Sequence, residues 1–111
     1  MSDHITIRDT VGGVRLIGLD RPEKKNALTG NMYDAMSQAL EGADASDEIG
    51  AVVFAGLPGV FSAGNDLGDF VEAARTDFRR TPGLRFIRQL ARTKTRVVAA
   101  APTRLPAQAD P

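Results

Sequence analysis

The amino-acid sequence predicts an α/β fold, and three observations carry that prediction. Residues 4–19 alternate apolar and polar side chains on both sides of a Gly-Gly pair, which is typical of a β-hairpin. Residues 49–55 form a short, continuous apolar run, the pattern of a strand buried on both faces. Between them, apolar residues recur at helical spacing, so we expect a helix that connects two parallel strands.

Composition limits the chain to one small domain and excludes several classes of function. The 111 residues are 42% hydrophobic, carry 14 basic and 14 acidic side chains, and contain no cysteine. Zero net charge gives no attraction to nucleic acid or to an anionic membrane, and disulfides and thiolate metal sites are excluded. No apolar run approaches the roughly 18 residues that a membrane span needs, and the start lacks a secretory signal. We therefore expect a soluble cytoplasmic protein.

The first half of the chain contains the hairpin, a helix and a strand. Residues 4–9 and 14–19 are the predicted hairpin strands, and Pro22 ends the second because proline cannot donate to a ladder. After a polar loop over residues 21–26, Thr29 is a candidate helix N-cap. The apolar stripe of that helix is Met32, Tyr33, Met36, Leu40 and Ala43, and Gly42 with the polar residues 44–47 closes it. The buried strand 49–55 then leads to Gly56.

Two further helices and one more strand are expected in the second half. The apolar residues of the first helix are Phe70, Val71, Ala74 and Phe78. The second begins at Thr81-Pro82, an N-cap followed by proline at the first helical position, and its apolar stripe is Leu84, Ile87, Leu90 and Ala91. Residues 97–100 have the composition of another buried strand. Residues 101–111 contain three prolines and no period, which predicts a disordered tail after a domain over residues 1–100.

The glycine-rich loop over residues 56–68 is the candidate site. It follows a buried strand and precedes a helix, where α/β folds place ligand sites. Exposed backbone N–H groups in such a loop can bind an anion or a developing oxyanion. Gly64-Asn65-Asp66 is also an ordinary turn sequence, and spacing alone favours that interpretation.

Basic residues are concentrated between positions 75 and 96. Asp77 is the only acid there, among Arg75, Arg79, Arg80, Arg85, Arg88, Arg92, Lys94 and Arg96. A phosphate-binding surface is one interpretation of this cluster. A solvated helix face is the other, and charge patterning alone favours it.

Two motifs resemble those of the enoyl-CoA hydratase/isomerase (crotonase) family, and they occur in the same order and at the same separation as in that family. They are Phe-Ser-Ala-Gly-Asn-Asp-Leu at 61–67 and Arg-Pro-Glu-Lys-Lys-Asn-Ala-Leu-Thr at 21–29. The resemblance extends from about residue 5 to residue 100. It implies the amino-terminal part of a crotonase-like spiral of ββα units, an acyl-CoA thioester as ligand, and homotrimeric or hexameric relatives. Coenzyme A would enter as part of the substrate, and no separate cofactor or metal is implied.

The resemblance also implies roles for individual residues. The backbone N–H of Asn65 would be the first of two oxyanion donors. The adenine part of CoA would face the backbone around residues 62–66, and Asp66 would hold the loop shape by accepting backbone hydrogen bonds. The full set expected to contact acyl-CoA is Lys24, Lys25, Ala27, Leu28, Ser62, Ala63, Gly64, Asn65, Asp66 and Leu67. For the two lysines, a solvated loop is an equal alternative to a phosphate contact.

The sequence departs from the family pattern after residue 100. Family members continue into a segment that carries the second oxyanion glycine and catalytic glutamates, whereas here a proline-rich stretch begins at Ala101-Pro102, like the product of a frameshift or premature stop. We therefore expect little hydratase or isomerase activity from this chain alone. The alternative is a non-catalytic CoA-binding or oligomer-interaction fragment. A serine hydrolase using Ser62 is disfavoured, because His4 is the only histidine available as a base.

Overall fold

The computed structural model describes residues 3–101, apart from the side chains at positions 69, 70, 73, 74, 76 and 78. Predictions for the tail over residues 102–111, and for the side chains of Phe70, Ala74 and Phe78, lie outside the described part. The elements, in chain order, are β1 (Ile5–Asp9), β2 (Val14–Leu19), a short 3-10 helix (Pro22–Lys24), α1 (Gly30–Asp44), β3 (Ala51–Ala55), α2 (Leu67–Asp77), a second 3-10 turn (Phe78–Arg80), α3 (Pro82–Arg92) and β4 (Arg96–Ala100).

The four strands form one sheet in the order β1-β2-β3-β4. β1 and β2 are antiparallel, with Ile7 opposite Ile17, so the predicted hairpin is confirmed. β2, β3 and β4 are parallel, and their register aligns Ile17, Phe54 and Ala99 across the sheet. The crossover from β2 through α1 to β3 is therefore the predicted βαβ unit.

Helix α1 provides most of the core. Thr29 caps it as predicted, since its Oγ1 accepts the Met32 N–H at 3.2 Å. The helix ends at Asp44, within the stretch over residues 42–47 that the sequence predicts to close it. Its buried side chains are Met32, Ala35, Met36, Ala39, Leu40 and Ala43, and they pack with Ile5, Ile17, Leu19, Val52 and Phe54 of the sheet.

Helix α3 begins where the sequence predicts, but only half of its predicted apolar stripe faces the core: Leu84 and Leu90 are half-buried, and Leu90 packs against the core. Ile87 is 59% exposed and Ala91 is exposed, whereas Phe86 faces inward. The Phe86 ring lies 5.7 Å from the Phe54 ring and 5.8 Å from the Tyr33 ring, measured between centroids. A large aromatic side chain gains more from burial than its aliphatic neighbour does, so Phe86 sets the rotation of the helix. Along α2, Val71 is 49% exposed rather than on a buried stripe.

The two predicted buried strands are both strands, but neither is buried on both faces. In β3, Val52 and Phe54 are buried against α1, while Ala51, Val53 and Ala55 are half-buried. β4 is exposed at four of its five positions. Both helices that pack on the sheet, α1 and α3, lie on the face that carries Val52 and Phe54, so no helix within residues 3–101 covers the other face. Between residues 3 and 101, none of the helices combines the length and apolar character needed to cross a membrane.

Candidate functional site

Two segments that are distant in sequence lie side by side at the carboxyl end of β3. The Ala63 N–H donates to the Lys25 carbonyl at 3.0 Å, and the Leu28 N–H donates to the Gly64 carbonyl at 2.7 Å. The Asp66 N–H then donates to the Leu28 carbonyl at 2.8 Å, which gives a short parallel bridge between Leu28 and Asn65. The structure thus brings the two sequence motifs into direct contact.

Asn26 is the buried link between these segments. Its side chain is fully buried, and its Nδ2 donates to the carbonyls of Leu19 (3.0 Å) and Phe61 (3.1 Å). Its Oδ1 accepts the Arg21 N–H at 2.7 Å. Its φ of 59° is left-handed, a conformation that asparagine tolerates better than most residues. No local pattern in the sequence singles out Asn26, although its amide can satisfy two carbonyls and one N–H at once.

Asp66 joins the loop to the segment before α1 through an ion pair. Its Oδ2 accepts from Nη1 of Arg21 at 2.9 Å, and the two side chains are only 25% and 14% exposed. The same Nη1 donates to the Ala27 carbonyl at 2.9 Å. The partner of the Asp66 carboxylate is thus a guanidinium 45 positions away, which the sequence alone does not indicate. An arginine that bridges a carboxylate and a carbonyl fixes the spacing of the two segments.

Ser62 is engaged entirely in holding the backbone. Its hydroxyl donates to the Asn26 carbonyl at 2.7 Å and accepts the Gly64 N–H at 3.0 Å. His4 instead contacts the carbonyl of Asp20, through Nδ1 at 3.1 Å, and the carboxylate of Glu23 at 4.0 Å. The Ser62 proton is therefore directed at a carbonyl rather than at a base, which argues against nucleophilic chemistry.

The glycines give this loop its shape. Gly64 has a φ of 94°, which strains any residue with a side chain. A Cβ on Gly56 would lie 2.4 Å from the backbone of Phe61, so the loop folds back against the end of β3 only because position 56 lacks one. The backbone is thus held in a turn that presents residue 65 outward.

The N–H of Asn65 stands between hydrogen-bonded neighbours. The N–H groups of Ala63, Gly64 and Asp66 each have an acceptor, whereas that of Asn65 has none within residues 3–101. Its side-chain Oδ1 accepts from the hydroxyl of Tyr33, which fixes the residue from the side of α1. Burial raises the pKa of Tyr33 above its ordinary value, so this hydroxyl stays protonated near neutral pH and acts as a donor. The arrangement can donate one backbone hydrogen bond to a ligand.

The other predicted site residues belong to the two segments that meet near Asn65. Lys24 and Lys25 are exposed, and no carboxylate of the described residues lies within 4.0 Å of either ammonium group. Ala27 and Leu28 are half-buried, while Ala63, Gly64 and Leu67 are exposed, Leu67 at 75%. A cavity of about 170 Å³ lies on the helix side of the sheet, lined only by apolar side chains that include Leu28, Phe61 and Val97.

Comparisons with known proteins agree on one family. The family model described as enoyl-CoA hydratase/isomerase matches residues 9–102. A probable enoyl-CoA hydratase from Rhizobium meliloti (strain 1021) is 37% identical over 83 residues, covering 70% of this chain and 32% of the relative. Enoyl-CoA delta isomerase 2 of Rattus norvegicus is 41% identical over 63 residues, which are 57% of this chain and 16% of that protein.

Solved structures give the same result. A putative enoyl-CoA hydratase/carnithine racemase from Magnetospirillum magneticum AMB-1 superposes with a TM-score of 0.82 at 36% identity, over 92% of this chain and 39% of that one. OdaA of Pseudomonas aeruginosa gives the same TM-score and identity, over 91% of this chain and 40% of its own. The chain therefore spans about a third or less of these curated relatives and about two fifths of these structures.

Proposed function

The chain belongs to the enoyl-CoA hydratase/isomerase family, and on that basis we propose that residues 24–28 and 62–67 bind an acyl-CoA thioester, with the Asn65 N–H as one oxyanion donor. The observation that supports this most strongly is the open N–H of Asn65 between neighbours whose N–H groups are already bonded. A donor held rigidly before the ligand arrives needs no reorganisation when charge develops on the thioester oxygen. One such donor contributes roughly 3 kcal/mol to transition-state stabilisation.

In the proposed complex, Lys24 and Lys25 contact the phosphate groups of CoA. Lys24 and Lys25 are exposed. They belong to the segment that holds the glycine-rich loop in place, because the carbonyls of Lys25 and Leu28 accept hydrogen bonds from loop N–H groups. Because both ammonium groups are solvated, each contributes about 1 kcal/mol or less. Ala27 and Leu28 then stand between the phosphate end and Asn65, where the pantetheine arm would pass.

Proton transfer is not assigned to the residues around Asn65. Tyr33 is not available as a base near neutral pH, because burial raises its pKa and keeps the hydroxyl protonated, and that proton is donated to the Asn65 side chain. Asp66 is held by Arg21 in a largely buried ion pair. We therefore propose that the 111-residue chain binds the thioester and polarises its carbonyl, and that alone it turns over enoyl-CoA little or not at all.

Calorimetric titration with acetyl-CoA tests this function. We expect saturable binding to the 111-residue chain and about threefold to tenfold weaker binding to a K24Q/K25Q variant. An R8Q/R96Q variant is the matched control, because it removes the same charge at exposed positions on the strands β1 and β4. Equal loss in both variants, or no saturable binding to the parent chain, would contradict the proposal. Turnover of a short enoyl-CoA at a rate typical of intact enzymes would contradict its second part.

A further inference from the structure

A polar groove of about 440 Å³ runs between α1 and α3. Helix α1 contributes Asp34, Ser37 and Glu41 to it, and α3 contributes Arg85, Arg88 and Arg92. In each helix these positions follow the spacing i, i+3, i+7, so each set occupies one face. The groove thus brings together one stripe of α1 and three of the eight basic residues that the sequence places between residues 75 and 96.

The two ends of the groove differ in charge balance. Nη2 of Arg85 lies 2.8 Å from Oδ1 of Asp34, so that arginine is neutralised. Arg88 and Arg92 instead contact neutral groups, the Arg79 carbonyl at 3.4 Å and the Gln89 side chain at 3.2 Å. Among the side chains that the structure describes, no carboxylate lies within 4.0 Å of either guanidinium, although Glu41 lines the same groove. Two positive charges one helical turn apart repel each other, and an anion between them would relieve that repulsion.

A buried hydroxyl supplies a second, independent observation. The Oγ of Ser37, which lines the groove, is buried and has no hydrogen-bond partner among the described residues. Buried polar atoms are nearly always hydrogen-bonded, and one left unpaired is costly. The Oγ itself is not exposed to the groove, so the Ser37 side chain must change rotamer before its hydroxyl can donate to an anion seated between Arg88 and Arg92.

We propose that this groove binds a small phosphoryl-bearing anion, held by Arg88, Arg92 and Ser37. The planar guanidinium matches phosphoryl oxygens in pairs, and two of them on adjacent turns can clamp one group. The volume falls within the range of small-molecule sites. Glu41 opposes the bound charge and keeps the affinity low. None of these residues belongs to the loop around Asn65, so this site is independent of the acyl-CoA function.

Amide NMR of the 111-residue chain, titrated with inorganic phosphate at constant ionic strength, tests the proposal. We expect saturable shifts of the Ser37, Arg88 and Arg92 amides that chloride does not produce. An R88Q/R92Q variant should bind at least about tenfold more weakly, and R88K/R92K should recover only part of the loss because lysine lacks the planar fork. E41Q should bind about threefold more tightly, since it removes the opposing charge.

Two controls decide where the phosphate binds. R8Q/R96Q removes two charges at exposed strand positions, and K24Q/K25Q removes the proposed CoA-phosphate contacts, so both should leave the groove shifts unchanged. Phosphate shifts that persist in R88Q/R92Q, that disappear in K24Q/K25Q, or that chloride reproduces would overturn the proposal. Because Arg88 and Arg92 are exposed, their variants keep the fold, and unshifted core amides would verify it.

Discussion

Strands β3 and β4 share three of their five residues but have very different surroundings. β3 reads Ala-Val-Val-Phe-Ala and β4 reads Arg-Val-Val-Ala-Ala, and they pair in parallel with Val52 opposite Val97. Val52 is fully buried, whereas Val97 is 36% exposed. Local sequence therefore determines that each segment is a strand, but burial depends on what packs against it. β3 lies between two strands and beneath α1, and β4 is the last strand of the sheet.

The contrast continues at the ends of the two strands. β3 runs into the loop that Asn26, Ser62 and the Arg21–Asp66 pair hold against the segment before α1. β4 is paired with β3 along its whole length, and its further side-chain contacts lie just before its start, where Oδ1 of Asp44 accepts from Thr93, Lys94 and Thr95. We expect substitutions on the β3 side to cost much more stability than those on the β4 side.

The largest expected loss is at Asn26. An N26A variant leaves the carbonyls of Leu19 and Phe61 without their donor and places alanine at a left-handed φ. We expect the free energy of unfolding in urea to fall by about 3 kcal/mol or more. N31A, at an exposed position of α1, is the control and should change it by less than about 0.5 kcal/mol. A loss below 1 kcal/mol in N26A would mean that this amide does not hold the two segments together.

The valine pair tests the comparison between the strands directly. V52A removes fully buried methyl groups, so we expect a loss of about 2 kcal/mol in unfolding free energy. V97A removes the same atoms from a partly exposed position beside the apolar cavity, and about 0.5–1 kcal/mol is expected. Urea midpoints of the two variants, measured with unchanged m-values, provide the test. Equal losses would show that β4 is covered in solution.

At Asp44, a smaller effect is expected. D44A removes the acceptor of four hydrogen bonds that lead into β4, and we expect a loss of about 1–2 kcal/mol. D44N keeps an oxygen at the same place and should lose less. If D44N and D44A unfold at the same urea concentration, the negative charge of Asp44 stabilises the fold rather than the geometry of its hydrogen bonds.

The smallest expected effect is the loss of stability in acid that results from protonation of Asp44. Burial opposes ionisation of Asp44, but hydrogen bonds from Thr93, Thr95 and the backbone outweigh it and lower its pKa below the ordinary 3.8. A group with a lowered folded pKa adds stability above its unfolded pKa and loses it as pH falls through the folded value. Unfolding free energy should therefore drop below about pH 4, less steeply in D44N than in the parent chain. Parallel pH profiles for the two proteins would contradict this.

Sequence patterns predicted the elements well because each has a local cause. Thr29 signals a helix start through its own hydroxyl, and the Gly12-Gly13 pair signals the hairpin turn. The predicted stripe of α3 was wrong at Ile87 and Ala91, because the rotation of the helix depends on Phe86, whose partners Tyr33 and Phe54 are distant in sequence. The predicted burial of β4 was wrong because the composition of a strand carries no information about whether another element packs beside it.

The candidate site was predictable in location but not in its internal bonds. The two motifs identified the segments that meet. The contacts that hold them, from Asn26 to Phe61 and from Arg21 to Asp66, join residues 35 and 45 positions apart. Such pairs follow from the fold rather than from local spacing, so the role of Asn26 became visible only in three dimensions.

The role of Asn65 is tested most directly by its own amide resonance. Acetyl-CoA carries the thioester carbonyl and CoA lacks it, so the two ligands differ at the atom that the N–H is proposed to bind. We predict that acetyl-CoA shifts the Asn65 amide proton more than CoA does, while the bonded amides of Ala63 and Asp66 respond equally to both. An Asn65 amide that responds equally to the two ligands, or that stays unmoved while acetyl-CoA binds, would contradict the proposed oxyanion donor.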